Sequence, residues 1–112
     1  MDYAGHGVQN QVGGVEVYPT PITLGEQVNI IYDGLLSKSG AQDLFLHMGF
    51  GPHEHWHEVQ DLRMFQTGRG WEQTVHIKDP SRLNFCFKDG ADNWDNFSGH
   101  NWSFEVHHGQ TY

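Results

Sequence analysis

The chain has 112 residues, with six Lys and Arg against 14 Asp and Glu for a formal charge of -8. One domain of this length buries about two thirds of its unfolded surface and needs no disulfide or metal staple. The acidic balance and the lack of any basic block exclude a phosphate-backbone partner and an anionic membrane surface, both of which rest on clustered Lys and Arg, and the single cysteine, Cys86, excludes an internal disulfide.

Residues 1–14 are polar, Gly-rich and without periodicity, and are expected to form a flexible N-terminal tail. A single β-sandwich domain is expected over 15–112. Val15 to Tyr18 reads as a short edge strand, ended by Pro19 and Pro21, which cannot donate to a central ladder. Val28, Ile30 and Tyr32 alternate with Asn29 and Ile31, and Asp33-Gly34 supplies a turn. Leu35 to Gln42 reads as a connection. In Asp43 to Gly49, Leu44, Leu46 and Met48 take one face while Phe45 and His47 take the other. Gly49 to Gln60 (GFGPHEHWHEVQ) reads as a loop carrying Trp56, and Met64-Phe65 as a brief strand before a turn at 67–70. Trp71, Gln73, Val75 and Ile77 share parity, so Trp71 is expected to face the core. After Asp79-Pro80-Ser81, the run from Leu83 to Val106 reads as two strands around a polar loop with Trp94 at its centre. The sum is all-β, an antiparallel sandwich of about seven short strands without a convincing helix; a small closed barrel is the alternative.

Three groups of residues carry chemical potential. Trp56 and Trp94, with His47 on the strand before the first loop, offer rigid apolar faces with polar groups at their edges, suited to a flat amphipathic partner such as a pyranose ring. Asp95 and Asn96 could satisfy its hydroxyls. The bland alternative is that both loop indoles fold inwards and plug the ends of the sandwich. His53, His55 and His57 form the second group. Two of them, with Glu58, could share a zinc ion, but same-face positions on a strand lie about 6.6 Å apart, too far for all three at zinc bond lengths of ~2.1 Å; a solvated polar loop is the other reading. The third group is Glu54, Glu58, Asp92 and Asp95, acids in the two loops. Glycoside hydrolysis needs such a pair in a site that excludes water, and short loops on a small sandwich offer little depth for it, so no catalytic residue is assigned.

The runs VNIIYDG and LFLHMGF, the loop Trp56, then Met64 and Trp71, and finally LNFCFKDG followed by WDN, Gly99 and Asn101 resemble the starch-binding carbohydrate-binding modules of family 25 and the related family 53 of starch synthases, over roughly residues 26–106. Several ordered matches weigh more than one short motif. The resemblance implies an immunoglobulin-like β-sandwich without catalytic activity or cofactor that binds α-1,4-glucan through His47, Trp56 and Trp94, with Asn96 a neighbouring hydrogen-bonding group. It leaves room for association with an amylolytic or glucan-synthesising enzyme. The chain departs from the pattern at Phe97, where Asn is common, at Trp102, where Tyr is common, and in the longer stretch before Trp56. Phe97 is expected to pack under its loop, because an apolar ring gains more from burial than from exposure.

A His-rich metal-binding domain and a protein-interaction sandwich are the competing classes. The first residues show no basic and apolar leader, so a complete chain would be cytoplasmic, whereas a fragment of a secreted enzyme would be extracellular.

Overall fold

The computed structural model describes residues 7–11 and 13–108, and these form eleven strands and one short helix. One sheet has five strands in the order β1 (Gly7–Gln11), β2 (Val15–Thr20), β4 (Gln27–Tyr32), β8 (Gly70–His76), β7 (Phe65–Thr67). The other runs β3 (Ile22–Thr23), β11 (Trp102–His107), β9 (Arg82–Asp89), β5 (Leu44–Phe50), β6 (His57–Arg63), with β10 (Trp94–Asp95) also paired to β9. All pairings are antiparallel except that of β3 with β11, so the second sheet is mixed.

The period-two pattern holds where it was expected. Val28, Ile30 and Tyr32 of β4, Leu44, Leu46 and Met48 of β5, and Leu83, Phe85 and Phe87 of β9 all enter one buried cluster, joined by Trp71, Val75, Ile77 and Trp102. Aromatic rings tie the layers together. Tyr32 of one sheet stacks on Phe87 of the other at 3.9 Å between centroids, and within the second sheet Trp102 meets Phe87 edge-on at 5.3 Å; such pairs contribute about 0.5–1.5 kcal/mol each beyond their burial. Phe97 packs as expected, stacked on Trp102 at 5.2 Å.

Three segments differ from the sequence reading. Residues 7–11, placed in the tail, pair with β2, while residues 1–6 lie outside the described residues. The last third of the expected 49–60 loop and the residues after it form β6, whose alternation is hidden because almost every residue is exposed on this edge. The 35–42 connection contains α1 (Leu35–Lys38). This turn of helix follows Gly34, where a Cβ would meet the Gly13 carbonyl oxygen at 2.2 Å, so only glycine lets the two segments approach. The Asp33 carboxylate then accepts from Ser37 Oγ and Lys38 Nζ.

Two acids outside the core are strongly tied. Glu72 accepts from Thr67 Oγ1, Asn29 Nδ2 and the Arg69 guanidinium, and these bonds, Thr67 first, hold its pKa at about 2 instead of 4.5. Asp79, paired with His57 Nε2 and then with the Ser81 hydroxyl and amide, is held at about 2 instead of 3.8. A folded-state pKa below the unfolded one means that stability is fully present above the unfolded value and is lost as pH falls through the folded one. The melting temperature should therefore fall between about pH 5 and pH 2, and Glu72→Gln with Asp79→Asn should flatten that slope. An equally steep decline in the double variant would exclude these two acids as its source.

Candidate functional site

The outward face of the second sheet assembles the residues singled out in the sequence. His47 projects from β5, and its register partners are Cys86 on β9 and Asp61 on β6. Trp94 on β10 sits opposite Lys88 of β9. Trp56 immediately precedes β6. The imidazole of His47 lies between the two indoles, its centroid 5.8 Å from that of Trp56 and 5.1 Å from that of Trp94, the latter at 88°. Trp94 is 45% exposed and Trp56 is half-buried, so neither plugs the core.

The polar groups around this cluster hold it in place. Asp61 Oδ1 accepts a hydrogen bond from His47 Nδ1–H at 2.5 Å, which in the neutral ring leaves Nε2 as the acceptor. Lys88 Nζ bridges to Asp61 Oδ2 at 3.3 Å and sits 5.3 Å from the Trp94 ring centroid, a cation–π contact. Burial acts to raise the Asp61 pKa, but the bonds from His47 and Lys88 outweigh it and hold the carboxyl below its ordinary value. Beneath them Cys86 forms part of the floor. Burial, reinforced by the negative charges of Asp61 and Asp95, pushes its thiol up to about 12, so it stays protonated and unreactive.

The Trp56 loop is braced at both ends. Gly51 donates its amide to the Arg82 carbonyl and accepts from the fully buried Asn84 Nδ2, while Asn84 Oδ1 accepts from Ser103 Oγ. Trp56 Nε1–H donates to the His53 carbonyl at 2.8 Å, and His53 Nε2–H donates to the His100 carbonyl at 2.6 Å, linking this loop to the 96–101 loop. A register shift between Met48 and Phe50 lies beside it, a bulge that redirects the strand next to the site. Gly49 makes room there: a Cβ would stand 3.0 Å from the Trp56 Cβ and 3.1 Å from Val59 Cγ2.

Asn96 is exposed, and its side-chain oxygen accepts the Gly99 amide. Asp95 is a correction to the expected contact set. Because β10 alternates like any strand, Trp94 points out and Asp95 points in; at 9% exposure its carboxylate accepts from Tyr32 Oη at 2.6 Å and from the Phe97 amide. Its work is to hold the strand that presents Trp94. The three loop histidines diverge, His53 to the 96–101 loop, His57 to Asp79, and His55 to solvent. Among the described residues no group of three or more His, Cys, Asp or Glu is placed to hold a metal ion. Asp61 and Lys88 were missed in the sequence. Lys88 shares outward parity with Cys86 on β9, but only the register of β10 on β9 brings it to Trp94.

A β-sandwich that presents aromatic rings and fixed hydrogen-bonding groups on one open sheet face has the architecture of a carbohydrate-binding module. The family model described as starch/carbohydrate-binding module (family 53) matches residues 28–85, more than half of the chain, and the chain belongs to that family. The match falls on the second of the two related families that the sequence resembles, and it covers His47, Trp56 and Asp61 but ends before Trp94. No curated protein and no solved structure matches the chain significantly.

Proposed function

We propose that the domain is a non-catalytic module for α-1,4-linked glucan, with starch, glycogen or maltooligosaccharides as ligands. Trp56 and Trp94 stack on glucose rings, His47 Nε2 meets a hydroxyl between them, and Asn96 serves at the rim. The observation that carries this reading is the placement of two indoles on either side of one imidazole on a solvent-facing sheet. Electrostatics agree with it. The chain is strongly acidic, yet the charge of Lys88 at this face is paired with Asp61, which suits an uncharged ligand. Asp61 fixes the imidazole before the sugar arrives, so little ordering remains to oppose binding.

An open face that anchors few rings gives modest affinity, on the order of 10 μM to 1 mM or about -7 to -4 kcal/mol. Calorimetry on the isolated domain with maltoheptaose, glycogen, cellohexaose and xylohexaose tests the proposal. Heat is expected with the first two and none with the β-linked chains. Silence with maltoheptaose and glycogen would refute it, and zinc heat in their place would favour a metal-handling domain.

A further inference from the structure

Beyond Trp94 the same surface continues along α1. Leu35 is 61% exposed, whereas its neighbour Leu36 is buried. The helix turn that carries Leu35 is fixed from below: the Leu36 amide donates to the Tyr32 hydroxyl at 2.9 Å, and the Ala41 amide to the Leu36 carbonyl at 3.1 Å. Leu35 and Trp94 together border two grooves, one of ≈ 740 Å³ towards the 89–93 turn and one of ≈ 660 Å³ towards residues 95–98. They form a single apolar ridge with a furrow on each side.

The first furrow mixes apolar and polar walls. Gln42 and Asn93 line it with Asp43 and Asp89. The turn is rigid, because Asp89 accepts the amides of Ala91 and Asn93 and Asp43 accepts that of Gly90. A shelf of this kind, apolar along its crest and hydrogen-bonding along its floor, fits a chain of linked pyranose rings. The other candidate occupant is a second copy of this domain, and two carboxylates in the wall of a chain with net charge -8 oppose it.

We propose that Leu35 and the furrow beside it form a further subsite of the glucan track, so that a chain longer than the Trp56–Trp94 platform continues across Leu35. The inference rests on the platform binding α-glucan. It implies that affinity rises with oligosaccharide length and that Leu35 carries that rise.

Calorimetry with maltotriose and maltoheptaose on wild type, Leu35→Ala and Trp56→Ala tests it, with thermal melts to verify folding. Leu35→Ala is expected to weaken maltoheptaose about 3- to 10-fold, in line with the loss of one buried apolar side chain, and to leave maltotriose unchanged. Trp56→Ala is expected to weaken both. Wild-type affinity of Leu35→Ala for maltoheptaose, or equal losses for both sugars, would overturn the subsite while the platform stands. A wild-type domain that ignores both sugars would remove the platform and the subsite together. Sedimentation showing a dimer that Leu35→Ala dissolves, with sugar affinity unaltered, would assign the ridge to self-association instead.

Discussion

Trp94→Ala should abolish retardation of the domain in a starch-containing native gel without unfolding it. A large aromatic at the centre of a small interface commonly accounts for 2 kcal/mol or more, about 30-fold in affinity. Starting from an affinity on the order of 10 μM to 1 mM, such a loss moves binding to about 0.3 mM or weaker. Stability should hardly change, since the indole is 45% exposed and its main neighbours, Lys88 and His47, keep their pairing to Asp61 without it. Trp56 is less simple. Its indole N–H braces the loop through the His53 carbonyl, so Trp56→Ala removes a ring and loosens a segment, whereas Trp56→Phe removes the brace and retains part of the ring. Weak but measurable binding by Trp56→Phe would show that the ring contributes beyond its brace. Undiminished retardation in both alanine variants would sink the platform.

The fold was legible where one face of a strand is buried. β4, β5, β8, β9 and β11 each show alternation because their inner residues enter the common core. β6 was not legible. It is an edge strand, exposed at all but one of its residues, so no selection for apolar residues marks its inner face, and its hydrogen bonds to β5 leave no trace in composition. β1 is likewise an edge strand. At the site, the sequence revealed the residue types but not their facing. Trp94 and Asp95 looked alike as loop residues, and a two-residue pairing with Lys88 and Phe87 sends them to opposite sides. Asp61 was invisible for a related reason: an acid among 14 gains meaning only from the register that sets it against His47. Phe97 shows the reverse, since its apolar character alone announced that it packs under its loop, although not that Trp102 is its partner nor its left-handed backbone at φ 56°.

Tyr32→Phe should be the most damaging conservative change in the chain. The ring of Tyr32 is fully buried and would keep its stack on Phe87, so the substitution removes one oxygen and leaves the packing intact. That oxygen donates to Asp95 Oδ2 at 2.6 Å and accepts the Leu36 amide at 2.9 Å. Burial first, then the bond to Asp95, raises its pKa far above that of an ordinary phenol, so it stays protonated and a donor at neutral pH. Without it, Oδ2 of a nearly buried carboxylate loses its donor, Oδ1 keeping only the Phe97 amide, and a backbone N–H at the start of α1 loses its acceptor. Each unsatisfied group costs about 1–3 kcal/mol, which for a domain of this size lowers the melting temperature by roughly 10 °C or more. Glucan affinity should fall with it, because β10 with Trp94 and α1 with Leu35 hang on the same hydroxyl. A double-mutant cycle separates this account from general loosening. Asp95→Asn lowers the penalty for leaving the site without a donor, so Tyr32→Phe with Asp95→Asn should be more stable than the sum of the single effects allows. Additive losses, or a melting temperature for Tyr32→Phe close to that of wild type, would show that the hydroxyl does not join the two elements energetically.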